Sequence, residues 1–547
     1  MSSYKVSPSP RGRALFASQA ITPGTLIDTF TDQIPARALV LPAAPSRSTT
    51  CAHCLSSSPS LKRCTACRSL AYCSPSCQKA DWKAAHKQEC PVLVRAAASV
   101  GKDAPDGAPV PTAVRAVIRI LLAPAAYGGL ETELNGHFEK FEEERGLKWA
   151  DLELQARVLM GWLPPMPEGE EATKRRVMNI LCKIQTNAFS RSEAETGQDG
   201  IFMHPTLAMV NHSCVPNAVV AFTGRKAFLR ALRSIKSGEE IEISYIDCTE
   251  PLAQRRKDLA HYHFTCTCPR CEGDLDNYAV AALVPGVRRL QDMSLVPGLD
   301  PSKPREPPKA AEDGAALDKI KQLLPPSGTG SYSPTERRRQ LSRAYRASEA
   351  LRCQDRWANE PNGHFLAEAI SYYVGLDNFE AALAVSSLAA TESDPFKYPE
   401  PFHPLRLHGC MKLVKSLSNT APRRGALAAF AKRVLTTAGH PQEPLEVLAH
   451  LDQLSLCQMI LFLIHLYAPM GHSKEWQVYR EALEMLEELQ SLPGREQENG
   501  VIRSWVENPA DPRMQEFCRY GLVTPVAALA AVGKATLEAD FSTEAGL

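Results

Sequence analysis

Eight residues that can bind a metal ion lie within one short segment near the amino terminus. Seven are cysteines and one is a histidine: Cys51, Cys54, Cys64, Cys67, Cys73, Cys77, His86 and Cys90. Zinc prefers four soft nitrogen or sulfur ligands in a tetrahedron. Eight ligands make two closed sets with no position left for water, so we expect structural zinc ions. The segment is too polar to bury a core, and metal binding would therefore drive its folding.

A second group of polar residues interrupts an apolar stretch, in the sequence MVNHSCVPNAVV from Met209 to Val220. Four polar groups of different chemistry between apolar segments indicate a functional site. Further along, FTCTCPRC supplies three more thiolates, Cys266, Cys268 and Cys271. Three thiolates are one fewer than a structural zinc site needs. Cys214, in the polar group, is the candidate for the fourth ligand.

Composition limits the classes of protein that this chain can be. Its 547 residues suffice for two to four domains, at roughly 150 residues each. The 62 Lys and Arg residues nearly balance the 61 Asp and Glu residues, which argues against a protein held mainly by nucleic-acid phosphates. The chain begins without the apolar core of a signal peptide. Its 17 cysteines therefore indicate metal binding in a reducing compartment.

Strands must position the polar group. Residues 11–31 predict a short turn followed by strands, with TPG as a tight turn. The segments NAVVAF and AFLRAL predict a hairpin whose turn is Thr223–Lys226. GEEIEISYI predicts another strand after a glycine turn.

Helices are predicted elsewhere. Residues 91–185 have helical spacing, with a charged loop at 164–176 that leads into a helix around Val177 to Ile184. Residues 292–335 are rich in Pro, Lys, Asp and Gly and predict a linker or a long exposed loop. Beyond residue 335, successive helices with short connections favour a helical array of tetratricopeptide type. The apolar run Leu454–Ala468 is shorter than the ~20 residues of a membrane span and predicts a buried helix.

The order of the first eight ligands resembles the MYND zinc finger, in which two ligand sets interleave. The resemblance implies that Cys51, Cys54, Cys73 and Cys77 bind one zinc ion. It implies that the second ion is bound by Cys64, Cys67, His86 and Cys90. Members of this family bind Pro-rich peptides, so the resemblance also implies a Pro-rich partner at the finger.

The motifs NHSCVPN, GEEIEISYID and CTCPRC resemble the core of a SET-domain methyltransferase with its post-SET cysteines, and RGRALFASQAITPG resembles the opening strand of that fold. A MYND finger inserted between these halves is the layout of the SET-and-MYND family. We therefore expect an α+β multidomain protein: a β-rich SET fold with an inserted finger, a post-SET zinc site and a helical, tetratricopeptide-like carboxy-terminal domain. The expected boundaries are 1–48 (first part of SET), 49–91 (MYND finger), 92–250 (SET insertion and core), 251–280 (post-SET), 281–335 (linker) and 336–547 (helical domain).

The resemblance implies an S-adenosylmethionine-dependent protein-lysine methyltransferase with three zinc ions. The lysine amine would attack the methyl group in line, and a neutral thioether would leave. Because free lysine has a pKa near about 10.4, a desolvated aromatic channel is needed to favour the neutral amine. We expect a histone or other protein carrying the target lysine as substrate, no membrane or nucleic-acid partner, a monomer, and residence in the nucleus or the cytoplasm.

The resemblance also assigns site residues. Tyr245 matches the catalytic tyrosine, which would orient the amine and contact the cofactor. Phe189, Tyr245 and Tyr262 would line the lysine channel. The other cofactor-binding positions are Arg11, Arg13, Asn187, Asn211, His212, Tyr262 and Phe264, and the third zinc ion would be bound by Cys214, Cys266, Cys268 and Cys271.

Two other functions remain open at this point. One is an adaptor of low activity, in which the finger recruits a Pro-rich partner. It is favoured by Ala14, since the family's opening motif is usually GxG and this chain has Gly12, Arg13 and Ala14. The other is a zinc-dependent DNA-binding regulator, which the near-neutral net charge disfavours.

Overall fold

The computed structural model describes residues 3–32, 38–58, 60–99, 110–193, 198–284, 320, 322–324, 332–423 and 425–542. Most of the predicted linker at 292–335 lies outside these residues. The chain divides into two compact units, and each is described by itself. The first comprises Met1–His212, Pro216–Ile243 and Leu259–Thr265, and the second comprises Ser213–Val215, Ser244–Asp258 and Cys266–Leu547.

Every strand of the described chain belongs to the first unit. The strands are β1 (Tyr4–Ser9), β2 (Gly12–Ala17), β3 (Leu26–Phe30), β4 (Leu39–Pro42), β5 (Lys62–Arg63), β6 (Ala71–Tyr72), β7 (Phe189–Glu193), β8 (Gln198–Met203), β9 (Asn211–His212), β10 (Ala218–Thr223), β11 (Lys226–Ala231) and β12 (Glu242–Ile243). They form small sheets in the orders β1–β2, β10–β11–β3, β4–β8–β7, β5–β6 and β12–β9. Only the β12–β9 pair is parallel among these described pairings.

The predicted hairpin is confirmed. Strands β10 and β11 are antiparallel, and Thr223 pairs with Lys226 across the turn. The strand predicted for GEEIEISYI is shorter than expected: Glu240 makes an isolated antiparallel bridge to Phe16, and Glu242 and Ile243 alone form a ladder with a neighbouring strand. That neighbour is β9, which carries Asn211 and His212.

Helices pack around these sheets in the first unit. They are α1 (Pro75–Asp81), α2 (Lys87–Ser99), α3 (Thr112–Leu122), α4 (Pro124–Thr132), α5 (Phe138–Glu144), α6 (Leu147–Met160) and α7 (Glu170–Asn187). A five-residue π-helix, Trp82–His86, joins α1 to α2 without a break. Buried side chains of α3 and α7, including Val117, Ile118 and Leu181, belong to the hydrophobic core of this unit.

The prediction of a charged loop at 164–176 is wrong for its second part. Helix α7 begins at Glu170, so residues 170–176 are helical. Two glutamates, Glu170 and Glu171, occupy its first turn, where the helix dipole favours negative charge. Gly169 precedes them with φ +85°, a conformation that glycine adopts without a Cβ penalty and that starts the helix here.

The secondary structure described for the second unit is helical. They are α8 (Leu252–Leu259, which ends in the first unit), α9 (Pro269–Glu272), α10 (Asn277–Leu283), α11 (Pro334–Ala347), α12 (Glu349–Arg352), α13 (Asn362–Gly375), α14 (Phe379–Leu388), α15 (Asp394–Lys397), α16 (Pro404–Thr420), α17 (Ala426–Ala438), α18 (Glu443–Ala449), α19 (Gln453–Gly471), α20 (Gln477–Ser491), α21 (Glu496–Glu507), α22 (Pro512–Cys518) and α23 (Thr524–Phe541). The predicted helical carboxy-terminal region is confirmed.

Helix α19 contains the predicted buried helix and extends it to 19 residues. By length and composition alone, α19 and the segment Pro512–Phe541 could each cross a membrane. Much of α19 is buried within the unit, however, including Leu456, Ile460 and Ile464. Its apolar sequence is therefore explained by packing against neighbouring helices.

Candidate active site and metal centres

Among the described residues, three groups of four cysteine or histidine side chains could hold a metal ion, and the ligand atoms of each group lie within 4.8 Å of one another. We call them the outer set (Cys51, Cys54, Cys73, Cys77), the inner set (Cys64, Cys67, His86, Cys90) and the third set (Cys214, Cys266, Cys268, Cys271). A tetrahedral zinc ion with Zn–S bonds of about 2.3 Å holds its sulfurs roughly 3.8 Å apart. The number and type of ligands in each group fit zinc.

The outer set is assembled by local structure. Sγ of Cys73 lies 3.5 Å from Sγ of Cys54 and 3.6 Å from Sγ of Cys77. Ser74 caps α1, and its hydroxyl accepts a hydrogen bond of 3.2 Å from the backbone N–H of Cys77. This cap satisfies one of the free N–H groups of the first helical turn and fixes Cys77 beside Cys73.

The inner set is completely buried. Its pairs include Sγ of Cys64 and Cys90 at 3.9 Å, and Sγ of Cys67 and Nε2 of His86 at 3.8 Å. His86 is the last residue of the π-helix, and Cys90 follows in α2. A π-helix adds a residue to a helical turn and is common at functional sites.

A buried network of charges, which the sequence analysis did not identify, stands behind His86. Nδ1 of His86 lies 3.2 Å from Oε2 of Glu89, and Glu89 is paired with Arg115 at 2.6 Å and Arg119 at 2.8 Å. Arg119 also pairs with Asp81 at 2.9 Å. Burial alone would raise the pKa of the Glu89 carboxyl, but the two guanidinium groups hold that pKa well below its usual range.

This network has two consequences for metal binding. Asp81, His86 and Glu89 could by position hold a metal themselves, but the arginines already neutralise both carboxylates. The carboxylate of Glu89 instead accepts a hydrogen bond from Nδ1–H of His86, so that Nε2 of the imidazole can ligate a metal ion. Both arginines come from α3, more than twenty residues after Cys90, so the spacing of the sequence gave no signal for them.

The third set lies in the second unit. Sγ of Cys271 is 3.5 Å from Sγ of Cys214, and Nη2 of the buried Arg255 is 3.8 Å from the same Cys271 sulfur. Hydrogen bonds with Cys266 and Cys268 raise the pKa of the Cys214 thiol, whereas hydrogen bonds with Cys214 and Cys266 lower the pKa of Cys268. The protonation of each of these thiols therefore depends on that of its neighbours.

The β9–β12 pair is held by Arg11. The Arg11 guanidinium donates to the carbonyl oxygen of His212 at 2.9 Å and pairs with Glu240 at 2.8 Å and Glu242 at 2.7 Å. The amide of Asn211 donates to Oε1 of Glu240 at 2.7 Å. Arg11 therefore fixes the strand that carries Asn211 and His212.

Asn217 closes the same loop. Its side-chain nitrogen donates to the carbonyl oxygen of Glu240 at 2.8 Å. Its side-chain oxygen accepts from the backbone N–H of Glu242 at 2.8 Å. The side chain thus substitutes for a strand partner, which explains why an asparagine ends the NHSCVPN motif.

Arg13 and Asn187 meet at another loop, residues 133–136, between α4 and α5. Arg13 donates to the carbonyl oxygen of Glu133, and Nδ2 of Asn187 donates to that of Asn135 at 2.8 Å. A cavity of about 250 Å³ lies here, lined by Arg13, Glu133, Leu134, Asn135, Gly136, Phe138, Glu139, Asn179 and Lys183.

The loop packs closely on α7. A Cβ at Gly136 would lie 2.6 Å from the backbone nitrogen of Lys183, so only glycine fits there. Burial lowers the pKa of the Lys183 ammonium group. The sequence analysis missed this loop, and the polar pair Glu133 and Asn135 between two helical segments was the signal that could have found it.

Three of the four predicted aromatic residues belong to the first unit. The Phe264 ring lies 5.9 Å from the His212 ring and 6.4 Å from the Tyr262 ring, and burial raises the pKa of Tyr262. The Phe189 ring lies 6.2 Å from that of Phe222 on β10. Tyr245 is half-buried and belongs to the second unit.

The departure at Ala14 is accommodated by the fold. Gly12 has φ +104° at the β1–β2 turn, where it pairs with Ser9. Ala14 is buried within β2 and is not among the described residues with positive φ. The backbone conformation that only glycine tolerates is therefore needed at residue 12 and not at residue 14.

Residues 12–246 match the family model described as SET domain. "SET domain and MYND-type zinc finger protein 6" of Schizosaccharomyces pombe is 32% identical over 41% of this chain and 44% of its own length. "Histone-lysine N-methyltransferase SMYD3" of Homo sapiens is 31% identical over 49% of this chain and 61% of its own. "Histone-lysine N-methyltransferase ASHR1" of Arabidopsis thaliana is 28% identical over 51% and 57%.

The chain thus spans about half the length of the curated relatives it matches. A solved structure, "Crystal structure of the SET domain of LSMT bound to Lysine and AdoHcy", aligns with 91% of this chain and 90% of its own at 11% identity and a TM-score of 0.22. A likeness at that score supports no argument about the site.

Proposed function

We propose that this chain, whose residues 12–246 match the SET domain model and which is similar to proteins with SET and MYND domains, is an S-adenosylmethionine-dependent protein-lysine methyltransferase. Its substrate would be a histone or another protein with an accessible lysine. Relatives of which it covers about half carry the names of lysine methyltransferases.

One observation supports the proposal above the others: the start of β2 and the turn before it connect two polar regions of the first unit. Arg11, in the turn, holds the strand with Asn211 and His212, and Arg13, on β2, reaches the cavity loop at Glu133. Residues two apart in the chain are separated by at most about 7 Å. A single ligand with a charged amino-acid end and an aromatic base has the size and the polarity to contact both regions.

The cofactor would supply a methyl group on a positively charged sulfur. Arg13, Asn187 and the loop at 133–136 would hold its polar end, while Asn211 and His212 would bind the base beneath Phe264. These residues do no covalent chemistry. Their contribution is to fix the donor so that amine, methyl and sulfur lie in line.

The lysine substrate needs a different environment. Tyr262, whose own pKa is raised by burial, would be part of a channel in which the neutral amine is favoured. Tyr245 would accept a hydrogen bond from the amine and orient it. Phe189 would form another wall of this channel, and aromatic faces would attract the methylated ammonium product.

We further propose that the three ligand sets bind three structural zinc ions, and that the outer and inner sets form an inserted MYND finger. Each set has four protein ligands, which leaves no position for a reacting water molecule. The finger would bind a Pro-rich peptide, and the helices of residues 336–547 would form a tetratricopeptide-like array. The protein would act as a monomer in the nucleus or the cytoplasm.

Calorimetric titration of the zinc-loaded full chain with S-adenosylhomocysteine tests the proposal. We expect micromolar affinity in the wild type and in Tyr245→Phe, and loss of binding in His212→Ala and in Asn187→Ala. Unchanged melting temperatures would exclude misfolding of the variants. With a labelled methyl donor and a protein substrate, Tyr245→Phe should lose transfer. A wild-type chain that binds no cofactor would refute the enzyme and leave the adaptor function.

A further inference from the structure

His263 stands between two residues of the proposed site, Tyr262 and Phe264, and is itself not assigned to it. Its backbone has φ +57°, in the left-handed region that non-glycine residues seldom occupy. It ends the short 3-10 helix Ala260–Tyr262. Such a conformation persists only where neighbouring contacts hold it.

The contacts that hold the His263 side chain come from α5 and from His137, the residue before that helix, whose ring lies 5.7 Å from the His263 ring. The imidazole stacks edge-on against the Phe141 ring at 4.5 Å and an interplanar angle of 89°. Its Nδ1 lies 3.1 Å from Oε1 of Glu144. Nζ of Lys140 donates to the His263 carbonyl oxygen at 3.2 Å. Three residues spaced along one face of α5 thus contact one histidine.

Ring packing contributes more to this attachment than charge does. The side chain of His263 is only 4% exposed, but that of Glu144 is 64% exposed, so solvent screens their interaction. Nε2 of His263 is buried and makes no hydrogen bond within the described part of the chain. The imidazole is therefore fixed mainly by the face of α5 and by Phe141.

Helix α5 also borders the cavity. The loop at 133–136 leads directly into it, and Phe138 and Glu139 from its first turn line the cavity wall. One end of α5 therefore forms the cavity, and its far turn holds the segment that carries Tyr262 and Phe264. Both proposed parts of the cofactor site use the same short helix as a support.

We propose that His263 is a positioning residue, which fixes Tyr262 and Phe264 over the cofactor by docking their segment on α5. The inference rests on the proposed function, since it assumes that Phe264 packs beside the bound base. His263 itself does not contact the reacting atoms. Its loss should weaken cofactor binding through disorder of residues 259–265 and leave the fold of α5 intact.

The test compares three variants of the zinc-loaded full chain. His263→Asn removes the ring but keeps a residue that tolerates positive φ. Glu144→Gln removes only the exposed charge. Glu143→Gln is the matched control, because this neighbouring carboxylate is exposed on the same helix and lies outside the site.

Two readouts are measured for each variant. Amide hydrogen exchange of a peptide covering 259–265 should speed up in His263→Asn and stay unchanged in Glu143→Gln. The affinity for S-adenosylhomocysteine should fall about fivefold in His263→Asn, and less in Glu144→Gln, as expected from losing one packed, hydrogen-bonded anchor. The exchange of peptides from α5 itself should not change.

The outcomes separate the two proposals. If exchange of 259–265 is the same in His263→Asn as in the wild type, His263 does not hold the segment and the inference is wrong. If hydrogen exchange of 259–265 speeds up but the affinity for S-adenosylhomocysteine is unchanged, His263 docks the segment without supporting cofactor binding. That result also overturns the inference. If the wild type binds no S-adenosylhomocysteine, the proposed function fails, and the exchange result still decides the docking.

Discussion

The outer and inner ligand sets lie within the same forty-residue segment and differ sharply in their surroundings. All four inner ligands are buried, whereas Cys73 of the outer set is exposed. Buried charges of α1, α2 and α3 support His86 of the inner set. Hydroxyl groups surround the outer set, with Oγ of Ser56 2.9 Å from Sγ of Cys54. Two sets of similar ligands are thus stabilised in different ways, one by tertiary packing and one by local turns.

The largest expected effect comes from removing the central cation of the inner network. Arg119→Met leaves Asp81 and Glu89 as buried carboxylates with fewer partners, and the free energy of unfolding should fall by about 3–5 kcal/mol. Urea denaturation of the zinc-loaded chain measures this change. Arg175→Met is the control, because the Arg175–Glu142 pair is largely exposed and should contribute at most about 1 kcal/mol. Equal effects would mean that the inner network is no stronger than a surface pair.

The next effect is measured as zinc affinity rather than as stability, because Glu89 orients His86 and also pairs with Arg115 and Arg119. Glu89→Gln keeps the shape of the side chain but removes the charge that fixes the His86 tautomer. The affinity of the inner set for zinc should fall by about 10- to 100-fold, while that of the outer set stays the same. Competition with a chromogenic chelator, followed as two phases of zinc release, measures both.

In the wild type, we expect the outer set to release its ion first, and Cys73→Ser should remove that fast phase. Glu89→Gln should bring the two phases closer together. A slow phase that is unaffected by Glu89→Gln would show that the carboxylate does not support the inner ligands.

The smallest effect is expected at the outer set. Ser74→Ala removes the cap of α1 next to Cys77 and should cost about 1 kcal/mol of stability. Thermal unfolding of the zinc-loaded chain measures it, with Gln78→Ala, an exposed residue of the same helix, as the control. Loss of zinc from the inner set in Ser74→Ala would contradict the view that the two sets are stabilised separately.

The same contrast explains what the sequence could predict. The outer and inner sets and the hairpin at Thr223–Lys226 depend on residue types at short, fixed spacing, and the structure groups both sets as the spacing predicts. Arg115 and Arg119 approach Glu89 only because α3 packs beside these sets, and no local pattern encodes that approach. The loop at 133–136 was missed for the same reason, since its polar groups become a cavity wall only beside α7.

Local patterns also misled where tertiary pairing decides the structure. GEEIEISYI has the alternation of a long strand, but its ladder is limited to Glu242 and Ile243 beside β9, since Glu240 makes only an isolated bridge to Phe16. The charges in residues 170–176 were interpreted as a loop, although two of them sit at a helix amino terminus, where they are stabilising. Charge alone does not distinguish a solvated helix from a loop.

The π-helix at Trp82–His86 makes the length of this segment as important as its composition. Cys77 of one set and His86 of the other lie on one continuous helix, and each residue of a helix turns it by roughly 100°. A one-residue deletion between them would rotate His86, Glu89 and Cys90 together, away from Cys64, Cys67 and α3. Apart from Asp81, which pairs with Arg119, the exposed residues between 78 and 85 can therefore be changed far more freely than their number can.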